Sequence, residues 1–113
     1  MRGTDLRGAE LREAHLEGAI LNGAHLEKAD LLLTNFEEAF LIKAYLQEAD
    51  LFFTNLNRAI IDKAHLEGVD LSTAIGLTKE QLAHAIVDEN TILPIDLQVQ
   101  PPDVPGPEGN SEE

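Results

Sequence analysis

An apolar residue stands at every fifth position of this chain from Leu6 to Leu71, without a slip. It is leucine at 6, 11, 16, 21, 26, 31, 41, 46, 51, 56, 66 and 71, with Phe36 and Ile61 completing the series. Two residues before each sits a small one: Thr4, Thr34, Thr54, alanine at ten further units, and finally Val69. Intrinsic propensity alone would make this stretch helical, since Ala, Leu and Glu dominate it. The period forbids that. Five residues of α-helix advance about 500°, so the leucines would scatter around the cylinder instead of forming a stripe. A flat strand fails as well, because an odd step sends successive leucines to opposite faces. The chain must turn a corner in every five-residue unit if all the leucines are to share one interior.

A longer period sets how many corners close a coil. Ala29-Asp30-Leu31-Leu32-Leu33-Thr34-Asn35-Phe36 returns as Ala49-Asp50-Leu51-Phe52-Phe53-Thr54-Asn55-Leu56, a shift of twenty. Ile20-Leu21-Asn22-Gly23-Ala24-His25-Leu26-Glu27 returns as Ile60-Ile61-Asp62-Lys63-Ala64-His65-Leu66-Glu67, a shift of forty. Likeness at multiples of twenty predicts four units per coil, and fourteen units make about 3.5 coils. Glycine within the units falls at the last position (Gly8, Gly18, Gly23, Gly68), where a type II turn wants positive φ. The units that place Lys, Glu, Arg, Leu or Phe there are expected to use another turn type.

The pattern A-(D/N)-L-x-x, as in Ala29-Asp30-Leu31 and Ala49-Asp50-Leu51, resembles the pentapeptide-repeat family, over about two thirds of the chain. The resemblance implies an all-β solenoid, the right-handed quadrilateral β-helix. It also implies that the central leucine and the small residue before it point inward while the other three positions face solvent. Close packing supports that assignment, since only a small side chain fits where the wall bends inward.

Beyond Leu71 a different signal begins. Thr78 and Gln81 have capping-box spacing, and Leu77 and Leu82 have that of a hydrophobic staple. A short helix is expected over residues 79–89, with Leu82, Ala85 and Ile86 on its buried side, lying across the open end of the coils. The Gly76–Leu82 run also resembles the terminal helix of the family, as in small cyanobacterial-type members. Residues 90–97 should tuck back through Ile92, Leu93, Ile95 and Leu97. The organisation expected is therefore a repeat domain over 1–73, a capping helix and return segment over 74–97, and a disordered acidic, Pro-rich tail over 98–113. At the other end, the first unit starts at Thr4 with no covering element, which leaves a coil edge open to pairing or to continuation upstream.

Charge narrows the choice of partners. The formal charge is −13, from 21 acids against 8 bases. Four of the acids (Asp103, Glu108, Glu112, Glu113) lie in the last 16 residues, which hold no base, so the remainder carries −9. Such a surface opposes nucleic-acid binding, which needs clustered Lys and Arg. There is no cysteine and so no disulfide framework. No apolar run reaches the roughly 18 residues of a membrane span. A cytoplasmic protein is the default expectation.

Outward residues twenty apart should stack as ladders about 4.8 Å apart. Leu32, Leu33, Phe52 and Phe53 form one apolar cluster, and Ile20, Phe40 and Ile60, with Ile42 nearby, form a second. Contiguous exposed patches of this kind mark interfaces more often than isolated apolar residues do. Asp30, Asp50 and Asp70, with Glu10, make an acidic ladder, but parallel oxygens do not enclose a cation as a calcium site does. His25, Tyr45 and His65 align similarly, with His15 elsewhere. The two histidines of that column lie two coils apart, too far to share a metal. No Ser/His/Asp set, P-loop or phosphate cradle is present, and a convex solenoid offers no concave pocket. No catalytic, cofactor or metal site and no small-molecule substrate are expected.

The function these features support is a non-catalytic scaffold or protein-interaction module, holding a protein partner or a second copy of itself. The alternative is an acidic DNA mimic resembling the gyrase-binding members of the family. Length opposes it, because about 3.5 coils span roughly 17 Å, some five base pairs of duplex.

Overall fold

The structure is a computed structural model and describes residues 3–98. The tail expected over 98–113 lies, beyond Gln98, outside the described residues. Residues 3–75 wind as coils of a β-helix in which the residue before each leucine pairs in parallel with its counterpart twenty residues on. Asp5 pairs with His25, His25 with Tyr45, and Tyr45 with His65 on one wall; Ile20, Phe40 and Ile60 pair on another. The remaining walls carry Glu10, Asp30 and Asp50, and His15, Asn35, Asn55 and Ile75.

Two kinds of backbone hydrogen bond define each unit. Along the stack, the leucine amide donates to the wall residue of the next coil (Leu26 to Tyr45, 2.8 Å). The wall amide donates in the other direction, to the small residue of the previous coil (Tyr45 to Ala24, 2.9 Å). Within the unit, the leucine carbonyl accepts from the amide three residues later, as from Ala24 to Leu21 at 3.0 Å. The backbone polar groups are thus satisfied without regular strands, by single residues per wall.

The corners correct the sequence reading. Positive φ occurs at every corner from Gly3 to Gly68, at Glu13, Lys28, Leu33, Glu38, Lys43, Glu48, Phe53, Arg58 and Lys63 as well as at glycine. The residues without glycine do not adopt another turn. The reason is that the corner amide must donate along the stack, as Glu13 does to Leu32 and Leu33 to Phe52, while the next amide closes the turn. Only a left-handed corner residue meets both demands in five residues. Each non-glycine corner costs about 1–2 kcal/mol of local strain, which the two flanking bonds and the buried leucine offset.

The inward leucines and small residues are buried from Leu21 to Leu71, with Phe36 the largest side chain among them. Leu6, Leu11 and Leu16 form the first layer and are only partly buried. Thr34 and Thr54 occupy the small-residue position with no exposure at all. Their hydroxyls donate to the carbonyls of Leu11 (2.6 Å) and Leu31 (2.9 Å), which is what makes a buried hydroxyl tolerable there.

After Ile75 the chain departs from the repeat. Gly76 has φ +82, and a Cβ there would lie 2.8 Å from the Cα of Asn57. Thr78 and Gln81 form the capping box at the start of α1, which spans Lys79–His84. The helix is shorter than the expected 79–89. It ends because Ala85 turns extended and Ile86 pairs with His65, donating to Ala64 (2.8 Å) and accepting from Leu66 (2.8 Å). Leu82 and Ala85 pack on the core as expected, whereas Ile86 is exposed.

The Gln81 amide donates to the carbonyls of Leu56 and Ala59, both at 2.9 Å. Ile92 then pairs with Asp70, and Leu93 and Leu97 pack on the core. Ile95 does not tuck in: it is 80% exposed, in a 3-10 turn over Ile95–Leu97. Asp88 pins this return. Its Oδ1 accepts from the Gly68 and Asn90 amides (both 3.0 Å) and the Thr91 hydroxyl (3.2 Å). Burial acts to raise its carboxyl, but those donors outweigh it and hold it below the ordinary carboxylate range.

Lys43→Gly and Lys63→Gly should each raise stability by about 0.5–1 kcal/mol, whereas Gly18→Ala should lower it by about 1 kcal/mol, in urea denaturation. Gly76→Ala should cost about 2 kcal/mol or more, because Asn57 backbone blocks the added methyl. A carboxyl lowered on folding stabilises above its unfolded value and loses that contribution as pH falls through the folded one. The Asp88 anchor should therefore hold at neutral pH and release only in acid below the ordinary carboxylate range, seen in the Gly68 amide shift by NMR. Asp88→Asn should flatten that titration.

Candidate interaction surface

Every corner residue and every wall residue faces outward, so the exterior is a grid of columns running along the stack. The corner between the Asp30 wall and the Asn35 wall carries Leu32 and Leu33 on one coil and Phe52 and Phe53 on the next. Leu33, Phe52 and Phe53 are exposed, Phe53 by half its surface, and Leu32 is half-buried. The Leu33 amide donates to the Phe52 carbonyl at 3.0 Å, which places the two pairs directly side by side. Two of the four, Leu33 (φ 62) and Phe53 (φ 55), are left-handed corner residues.

The second apolar column lies on a different wall. Ile20, Phe40 and Ile60 are all exposed and joined by consecutive bridges, and Ile42 is half-buried at the adjoining corner. Between the two apolar features run the Asn35 wall and a charged corner bearing Glu37, Glu38 and Arg58, the last of which pairs with Glu38 at 3.5 Å. The structure therefore keeps the two clusters apart instead of merging them into one face.

The acidic column has a local structural job that residue type alone did not suggest. Asp50 Oδ1 accepts from the Phe52 amide (3.1 Å), Asp70 Oδ1 from Ser72 (2.9 Å) and Asp30 Oδ1 from Leu32 (3.3 Å). Asn35 and Asn55 do the same for Glu37 and Asn57, both at 2.9 Å. These are Asx turns that fix the corner, and the i, i+2 spacing was the available signal. Asp30 also takes the Arg12 guanidinium, whose hydrogen bond lowers the Asp30 carboxyl against the effect of desolvation. Among the described residues no group of three or more His, Asp and Glu is placed to hold a metal ion.

His25, Tyr45 and His65 come together more closely than their alignment alone conveyed. The rings stack face to face, His25 on Tyr45 with centroids 4.5 Å apart and 3° between planes, Tyr45 on His65 at 4.7 Å and 6°. Glu27 and Glu67 face the histidine Nδ1 atoms at 3.3 and 3.2 Å. The stack clamps three coils at their 20-residue register. His15 stands apart on the Asn35 wall, beside Glu17 at 3.3 Å.

A model of pentapeptide repeats matches residues 1–37 and 29–68, with eight copies of the repeat. The chain belongs to the pentapeptide-repeat family. One solved relative is a pentapeptide repeat protein (Rfr23) from the cyanobacterium Cyanothece 51142. It is 31% identical over 82% of this chain and superposes with a TM-score of 0.72. Another, a pentapeptide repeat protein from the thylakoid lumen of Arabidopsis thaliana, is 21% identical over 79% of this chain, with a TM-score of 0.36. This pentapeptide-repeat chain spans 63% and 61% of those two proteins' lengths. Among curated proteins there is no significant match. No helix among the described residues is long and apolar enough to cross a membrane.

Replacing Tyr45 by Leu keeps an apolar side chain but removes both stacking contacts. It should lower stability by about 1 kcal/mol in urea denaturation. His25→Ala and Tyr45→Leu combined should cost less than the sum of the two, as expected for partners in one stack.

Proposed function

We propose that this protein is a non-catalytic scaffold that holds a protein partner, or a second copy of itself, on the outside of a rigid solenoid. In this reading residues 1–73 form a right-handed quadrilateral β-helix of about 3.5 coils. Residues 74–97 cover its last coil with a short α-helical cap and a return segment, and residues 98–113 are a tail.

The observation that supports it is the placement of Leu33, Phe52 and Phe53. The inward columns already supply a buried core, so these side chains are not needed for burial, yet they stand together in solvent. Families built on repeats commonly bind through such outer surfaces. The column of Ile20, Phe40, Ile42 and Ile60 is a second candidate contact of the same kind. An acidic DNA mimic gains no support from the comparisons.

The test is a double variant, Phe52→Ser with Phe53→Ser. Thermal stability should change little, because neither side chain is in the core. Light-scattering mass, or recovery of a partner by affinity capture from the source cells, should fall. An unchanged mass together with undiminished capture would remove the patch from any role in assembly.

A further inference from the structure

The Leu32, Leu33, Phe52 and Phe53 corner is an anionic-edged apolar strip, and we infer that it takes a basic, apolar segment of another protein. This rests on the scaffold reading and names the chemistry of its partner. Three observations carry it.

The first is that the strip is costly in two independent ways. Its apolar side chains are exposed to water, and Leu33 and Phe53 sit at φ 62 and 55, where a bulky residue is strained. Other left-handed corners are filled by Gly, Lys, Glu or Arg, which carry only the second cost. Local folding does not call for Leu or Phe at these points, so their presence is explained by something that covers them.

The second is the border. Along one side of the strip runs the column Asp30, Asp50 and Asp70. Arg12 satisfies Asp30. Asp50 and Asp70 give one oxygen each to the turn amides of Phe52 and Ser72, and no ion pair among the described residues involves either of them. Along the other side, Asn35 and Asn55 are neutral. A partner that buries the apolar strip must also meet, on one flank, two carboxylates that make no ion pair among the described residues. Arginine suits that edge, since its guanidinium can lie on an aromatic face while it pairs with a carboxylate.

The third is the sign of the whole chain. At a formal charge of −13, a second copy would bring a like-charged surface to the same border. Nucleic acid and anionic lipid fail for the same reason. The acidic and apolar columns run parallel along the stack. A segment lying over them must meet the apolar column with apolar side chains and the acidic column with basic ones. The partner chemistry is therefore basic residues interspersed with apolar ones.

Fluorescence anisotropy with short labelled peptides tests this on the full chain. A peptide of alternating Arg and Leu should bind, and an alternating Glu and Leu peptide should not. Phe52→Ser with Phe53→Ser should weaken the Arg–Leu peptide by about tenfold or more. Asp50→Asn with Asp70→Asn should weaken it severalfold and flatten its dependence on salt. Asp62→Asn, at the exposed corner between the Ile60 and His65 walls, should leave binding unchanged.

Equal binding of an alternating Arg and Ser peptide, or indifference to the Phe changes, would reduce the effect to general acidity and overturn the inference. So would a failure of the Arg–Leu peptide to bind. A wild-type dimer that the Phe double variant converts to monomer would assign the strip to a second copy. That result overturns the basic partner while leaving the scaffold reading intact.

Discussion

The structure depends on one constraint: each wall residue must donate to and accept from the two residues that flank its counterpart on the previous coil, and be flanked by residues that do the same for the next, while the chain turns a corner every fifth residue. Single wall residues carry the pairing, so there is no strand long enough to be stable by itself. Stability has to come from the stack. A leucine layer is buried only when coils lie above and below it, which is why Leu21 and its successors are fully buried and Leu6, Leu11 and Leu16 are not. The left-handed corners belong to the same constraint. They are imposed by the pairing on either side, and residues as unsuited as Phe53 and Leu33 comply.

That division of labour explains what could be read in the sequence. The inward columns were legible because burial restricts volume, and a fifth-position leucine with a small residue two before it has no other consistent explanation. The shift of twenty was legible through outward residues, since Asp30 and Asp50, or His25 and His65, repeat at that spacing. The corner conformation was not legible. Glycine marks a left-handed residue by its identity, but Glu13, Lys43 and Arg58 argue locally for the opposite, and only the register of neighbouring coils overrides them. The end of α1 was hidden for a similar reason. Residues 85–89 include the weaker helix formers Ile86, Val87 and Asp88, but nothing in them forces a stop at His84; the open edge of Ala64 and Leu66 offered Ile86 two ladder hydrogen bonds instead.

The candidate site was legible in part. Residue type and register were enough to bring Leu33, Phe52 and Phe53 together and to separate them from Ile20, Phe40 and Ile60. They did not show that Asp50 and Asp70 spend one oxygen on a corner amide, nor that Arg12 pairs directly with Asp30. Those are properties of geometry and rotamer that no spacing rule contains. They matter because they distinguish an acidic wall from an edge beside an apolar strip whose Asp50 and Asp70 make no ion pair among the described residues.

After Ile75 the chain leaves the repeat yet still pairs with the coils already laid down. Ile75 still pairs with Asn55 at a separation of twenty, but the next bridges join His65 to Ile86 and Asp70 to Ile92. The separation grows because α1 and the turn around Asp88 take up chain that a repeat unit would not. What a further coil would have donated is supplied piecemeal. Gln81 serves the carbonyls of Leu56 and Ala59, Thr91 serves Leu66, and His84 accepts from Lys63. A regular coil would have met these demands with backbone alone and presented a new open edge to solvent. Here the Gln81 and Thr91 side chains serve carbonyls that a coil would have served with backbone. Termination here is a change in which atoms make the hydrogen bonds, not in whether they are made.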